Sequence, residues 1–160
     1  MARILKSLRA GNDSPSGSSG GSVMLKAGQS FQDSIGSQII VTGGSQGGDG
    51  GRIEVSAPKI LSLNSSMDAR TQTGFTAGKL FLDPYDIVLN TSGGDSAGSG
   101  TVSAGDNPGG TLDLNVYGAF SGFSQIILQA THDITLLDDT FWSLSDSTGV
   151  NSGQLTLEAG

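Results

Sequence analysis

The chain has no cysteine, and that removes disulfides, thiolate metal sites and cysteine nucleophiles together. Histidine occurs once, at His132, so a metal site built on two imidazoles is excluded. Charged residues make up only 14% of the chain, and the eight Lys and Arg are outnumbered by fifteen Asp and Glu, leaving a net charge of −7. The imbalance is uneven, because Arg3, Lys6 and Arg9 give +3 over the first ten residues and the rest of the chain carries −10. A surface of that sign lacks the clustered cations that a phosphate backbone or an anionic membrane requires, so no nucleic-acid partner is expected. No apolar run approaches the roughly 18 residues that span a bilayer as a helix. MARILKSLRAG is basic, but Lys6 and Arg9 break its apolar run, so no signal peptide is visible in it.

Hydrophobic content is 35%, low for a compact globule, yet the apolar residues gather in alternating runs. SVMLKAG carries Val23, Leu25 and Ala27; RIEVSAP carries Ile53, Val55 and Ala57; GKLFLDP carries Leu80 and Leu82. TLDLNV repeats the row at Leu112, Leu114 and Val116, QIILQA at Ile126, Leu128 and Ala130, and QLTLEAG at Leu155, Leu157 and Ala159. Positions i, i+2 and i+4 of a strand share one face, so each copy offers the same inward row, and stacked copies make a column. The first large apolar residues, at 23, 53, 80, 112, 126 and 155, are separated by 30, 27, 32, 14 and 29 residues. Spacing near thirty with variable loops is that of a β-solenoid coil containing several short strands, and the half-step of 14 reads as a second strand within one coil. The fold class expected is all-β, a parallel β-helix with Gly- and Ser-rich loops.

The 26 glycines concentrate between these runs. Residues 1–20 read as a basic and Gly/Ser-rich lead-in, disordered or a truncated start, in which 1–10 suit a short amphipathic helix with Ile4, Leu5 and Leu8 on one side. Residues 21–160 read as β-helix coils that continue beyond the C-terminus. GGSQGGDGG at 43–51 is a turn that tolerates little but glycine, and 90–110 is the longest polar insertion, interrupted only by Thr101-Val102. A second internal match aligns Leu82–Leu89 (LDPYDIVL) with Leu128–Leu136 (LQATHDITL) if one residue is inserted at the turn. Asp86 and Asp133 then occupy one place, each just before an isoleucine. Asp83, Pro84, Asp86 and Asp133 are accordingly structural turn residues, the aspartates accepting backbone N–H groups that a bend leaves unpaired.

Several of these phrases resemble the repeat region of filamentous haemagglutinin-like exoproteins of two-partner secretion systems. They are the GGDGG turn at 47–51, the strand IEVSA, Met67-Asp68-Ala69, G-x-L-x-L-D-P-x-D-I at 78–87, and the later QATHDITL and SGQLTLEAG. The resemblance covers roughly residues 20–160. It implies a right-handed parallel β-helix, a secreted or cell-surface location and a structural or adhesive task, presenting loops from a rigid stalk. It also implies a host-surface or matrix glycan or protein receptor, and an outer-membrane transporter serving the full-length protein. Self-association through open coil ends is a further expectation.

Catalysis is not expected. Asp83, Asp86, Asp133, Asp138 and Asp139 are carboxylates that stacking of coils about 4.8 Å apart could bring together, and a carbohydrate-active β-helix enzyme acting on an acidic polysaccharide is the alternative reading, with a non-functional fragment beyond it. Lyase chemistry wants a basic partner, however, and no Lys or Arg follows Lys79. SGFSQ at 121–125 lacks the G-x-S-x-G spacing of a nucleophile elbow. GGSQGGDGG and GGDSAGSG depart from the tandem nonapeptide that binds calcium in β-rolls, and no Gly-rich loop has a phosphate-cradling pattern, so no cofactor or metal is expected. His132 reads as a solvated turn residue. In FWSL, Phe141 faces away from Trp142 and Leu144, and Trp142 is the candidate exposed aromatic.

Overall fold

The computed structural model describes residues 2–4, 7–11, 17–91, 110–116, 120–144 and 153–160. Most of the 90–110 insertion and residues 12–16 of the lead-in lie outside them. All regular structure among the described residues is β, and every strand pairing is parallel. The strands stack as a β-solenoid of about 4 turns. No helix among the described residues is long and apolar enough to cross a membrane.

The first face is a five-stranded sheet built in chain order from β3 (Ser22–Lys26), β6 (Arg52–Ser56), β9 (Lys79–Asp83), β12 (Gln125–Ala130) and β14 (Gln154–Ala159). Its register follows the alternating rows. Val23, Ile53, Leu80, Ile126 and Leu155 form one column, and Leu25, Val55, Leu82, Leu128 and Leu157 the next. The middle members of both columns are fully buried. A one-residue slip would turn each row to solvent, so the alternation itself pins the register.

The second face holds β1 (Ala2–Ile4), β4 (Ser30–Asp33) and β7 (Lys59–Ile60), followed by β11 (Thr111–Asn115), β10 (Asp86–Asn90) and β13 (Ile134–Leu136). The third holds β2 (Ser7–Arg9), β5 (Gln38–Ile40) and β8 (Ser66–Asp68). The helix allowed by residues 1–10 is therefore replaced by two strands, β1 on β4 and β2 on β5. An isolated helix of that length is marginal in water, whereas the coil offers strand partners and a core against which Leu8 packs.

TLDLNV departs from the sequence reading in one respect. Leu112 and Leu114 are buried, as an inward row requires, but β11 pairs with β10 on the second face and takes no part in the first-face columns. The half-step of 14 residues arises because β11 and β12 lie on different faces. β11 sits on the side of β10 away from β13, where it also meets β7. Stacking order and chain order thus differ at this point. Residues 91–110 separate β10 from β11 in the chain, and a parallel connection needs a dozen residues or more.

Two devices close the corners. Between the third and first faces, the residue preceding each first-face strand is Gly21, Gly51, Gly78, Ser124 and Gly153. Backbone bonds run up this column, Arg52 N–H to Gly21 O at 3.0 Å and Lys79 N–H to Gly51 O at 2.9 Å. Ser124 alone carries a side chain there, and its hydroxyl donates to Ala77 O at 2.5 Å. Between the second and third faces, Asp33 is 3% exposed. Its carboxylate accepts Asn64 N–H and Ser65 N–H, each at 2.7 Å, and the Ser62 hydroxyl at 3.2 Å.

Candidate functional site

A cluster of ionisable side chains meets at the corner between the first and second faces, on the third and fourth coils. Leu82 pairs with Leu128 on one side of this corner and Ile87 with Ile134 on the other. The lower corner, Asp83-Pro84-Tyr85-Asp86, is therefore one residue shorter than the upper, Gln129-Ala130-Thr131-His132-Asp133, and Asp86 stacks beneath Asp133 as the internal match expects. Backbone bonds lock the two turns together: Thr131 N–H to Pro84 O at 3.2 Å, His132 N–H to Tyr85 O at 2.9 Å and Ile87 N–H to Asp133 O at 2.9 Å.

The side chains then converge. Asp86 Oδ1 accepts Asp133 N–H at 3.1 Å and lies 2.8 Å from His132 Nδ1. Asp133 Oδ2 is 3.3 Å from the same nitrogen. The Tyr85 ring lies under the imidazole, with centroids 5.3 Å apart and planes 14° from parallel. All three ionisable side chains reach solvent, at 26% exposure for Asp86, 56% for His132 and 70% for Asp133. The arrangement is a hydrogen-bonded hub on an outward corner, and it clamps one coil to the next.

Asp86 thus takes the backbone N–H expected of a turn aspartate, although the donor belongs to the neighbouring coil. Asp83 accepts the Ser56 hydroxyl at 2.9 Å and, through its carbonyl, Ala57 N–H at 3.1 Å, so it ties the third coil to the second. Pro84 is buried at the bend. Asp138 and Asp139 lie exposed in the turn after β13. Of the adjacent pair Phe141 and Trp142, it is Phe141 and not the expected Trp142 that is exposed, at 68%. Trp142 is partly buried against the core, with its ring 6.4 Å from that of Phe120.

His132 is more than the solvated turn residue that the sequence suggests. Its pKa is raised above the ordinary imidazole value of 6.5, first by the hydrogen bond to Asp86 and then by the charge of Asp133. A raised native pKa means that the folded state binds this proton more tightly than the unfolded chain. The resulting stabilisation is complete below the unfolded value and is lost as pH rises through the native one. In metal-free buffer the melting temperature should therefore fall across the interval above pH about 6.5. The Asp86→Asn chain should lack that component of the slope. Because His132 is the only histidine, its imidazole NMR titration can be followed directly, and a wild-type midpoint at or below that of the Asp86→Asn chain would contradict the clamp.

A second feature lies at the glycine corner. Ser22, Asp49, Gly50, Arg52, Thr76 and Lys79 line an open groove of about 370 Å³. Asp49 Oδ1 is held by Thr76 N–H at 2.8 Å, and Arg52 is paired to Glu54 at 2.9 Å while its guanidinium lies 5.6 Å over the Phe81 ring. Glu54, buried though it points away from the core columns, is also bound by Lys26 at 2.9 Å. The sequence held no signal for this arrangement, because its members come from three coils. Comparison of the chain with protein-family models, curated proteins and solved structures gives no match, so its β-solenoid fold stands on strand pairing and register alone.

Proposed function

We propose that this chain is a structural section of a secreted or cell-surface bacterial exoprotein, a rigid spacer that presents loops for adhesion. The observation that carries the reading is the residue-for-residue parallel stacking of β3, β6, β9, β12 and β14. A solenoid in which each coil buries its apolar row on its neighbours extends by adding coils and holds its loops at fixed heights. The likeness of GGDGG, LDPYDI and LTLEAG to phrases of filamentous haemagglutinin-like exoproteins supports the same reading, with a dedicated outer-membrane transporter as partner in export. Many weak loop contacts to a glycan or protein of the host surface then add up through multivalency.

The test has two parts. Antibody raised against the purified chain should label intact, unpermeabilised cells of the source bacterium, and the genomic locus should encode an in-frame secretion domain and an adjacent transporter. Absence of both would overturn the proposal. Turnover of an acidic polysaccharide by the purified chain would establish an enzyme instead.

A further inference from the structure

We propose that the corner formed by Asp86, His132 and Asp133 is a binding site for a divalent transition-metal cation, with His132 Nδ1, Asp86 Oδ1 and Asp133 Oδ2 as its protein ligands. Each of the three residues offers a ligand atom, and these atoms lie within 4.8 Å of one another. The imidazole nitrogen is 2.8 Å from one carboxylate oxygen and 3.3 Å from the other. Metal–ligand bonds of about 2.0–2.2 Å place neighbouring ligand atoms about 3.0–3.5 Å apart in tetrahedral or octahedral geometry. The two spacings from the imidazole nitrogen therefore lie within a few tenths of an ångström of those an ion needs, and the two carboxylates, no more than 4.8 Å apart, close onto it by side-chain rotation.

The ligands are also held before any ion arrives. Asp86 is fixed by the Asp133 N–H at 3.1 Å, the imidazole plane by the Tyr85 ring, and the His132 backbone by its bond to Tyr85 O at 2.9 Å. Preorganisation of this kind removes part of the ordering entropy that a flexible surface site loses on binding. Charge points the same way. Two carboxylates face one another across one imidazole on a chain of net charge −7, and a divalent cation with a neutral imidazole balances both.

The donor set selects the class of ion. One imidazole with two carboxylates suits Zn²⁺ and its first-row neighbours, whereas Ca²⁺ and Mg²⁺ prefer all-oxygen shells. The outward corner leaves the remaining coordination positions to water. Because Asp86 belongs to the third coil and His132 and Asp133 to the fourth, a bound ion staples the two coils together. None of this depends on the adhesive reading.

The experiment uses the chain produced without a histidine tag and stripped with chelator, titrated with Zn²⁺ alone. The imidazole resonances of the single histidine should shift to saturation at one equivalent, with the change centred on Nδ1. Thermal unfolding in Zn²⁺ at about a hundred times the dissociation constant should move up by about 5 °C or more. His132→Ala should abolish the thermal shift, and Asp86→Asn or Asp133→Asn should each weaken binding about tenfold or more. Asp133 is 70% exposed, so its asparagine variant should remain folded and keeps the test open if Asp86→Asn does not. Unsaturated shifts up to millimolar Zn²⁺, wild-type affinity in Asp133→Asn, or equally tight binding of Ca²⁺ would each overturn the assignment.

Discussion

Gly51→Ala should destabilise the chain by about 4 kcal/mol or more, at the severe end for a single substitution. A Cβ built on Gly51 would lie 1.8 Å from Gly21 O and 2.9 Å from the carbonyl carbons of Gly20 and Gly21. All three are backbone atoms of the coil below, so no rotamer change relieves the overlap. The coil is unable to rise away either. Gly51 N–H donates to Val41 O at 2.7 Å and Gly51 O accepts Lys79 N–H at 2.9 Å, so any shift breaks pairing on both sides. The next level is similarly tight, with a Cβ on Gly78 falling 2.2 Å from Gly51 O. Gly28→Ala is the control, since no atom lies within 4 Å of a Cβ there and its φ is outside the left-handed region. That variant should be neutral or more stable by up to about 1 kcal/mol, because alanine narrows the unfolded ensemble. Urea unfolding of the two variants beside wild type reads the contrast directly. Equal stability of Gly51→Ala and Gly28→Ala would mean that the coils do not approach as closely as the corner column requires.

What the sequence revealed and what it hid divide along a physical line. Alternation of Val23, Leu25 and Ala27, and of each later row, is a local signal, since a strand's faces are set by its own dihedrals. Five of the six rows accordingly fall into one sheet in the expected order. The Asp86–Asp133 correspondence was legible for a related reason: stacked turns repeat a phrase, and the single inserted residue is visible in the alignment. TLDLNV carries the same alternation on a different face, because alternation states which side of a strand is apolar and not which neighbour it pairs with. The N-terminal residues read as a short helix in a disordered lead-in, and the open edges of β4 and β5 drew residues 2–4 and 7–9 into strands instead. Polar partners a coil away were the least legible. Tyr85 meets His132, and Glu54 meets Lys26, only because particular loops have particular lengths. Trp142 and Phe141 show the limit within a single phrase. The sequence set them on opposite sides, but packing against Phe120 determined which one turned inward.

Asp33 gives the second large effect and the sharpest case of a residue hidden from sequence reading. Asp33→Ala should cost about 3–4 kcal/mol, because it strands buried donors rather than merely deleting a contact. In the wild type, Asn64 N–H and Ser65 N–H each donate to the carboxylate at 2.7 Å, and Ser62 Oγ accepts Asp33 N–H at 3.1 Å while its hydroxyl proton turns back onto Asp33. Short bonds to an ionised acceptor are about twice as strong as neutral ones. Asp33→Asn keeps one acceptor oxygen but turns an NH₂ toward one of the two N–H groups, so its loss should lie between wild type and alanine, at about 1–2 kcal/mol. Asp49 makes a comparable bond to Thr76 N–H at 2.8 Å, but on the surface, where water can replace it. Asp49→Ala should therefore cost under about 1 kcal/mol. The amides of Asn64 and Ser65 should exchange faster in Asp33→Ala even under conditions that leave the rest of the second coil protected. If Asp33→Ala proves no more damaging than Asp49→Ala, the carboxylate is not what holds the 62–65 turn against the first coil. The apolar columns would then have to supply that alignment unaided.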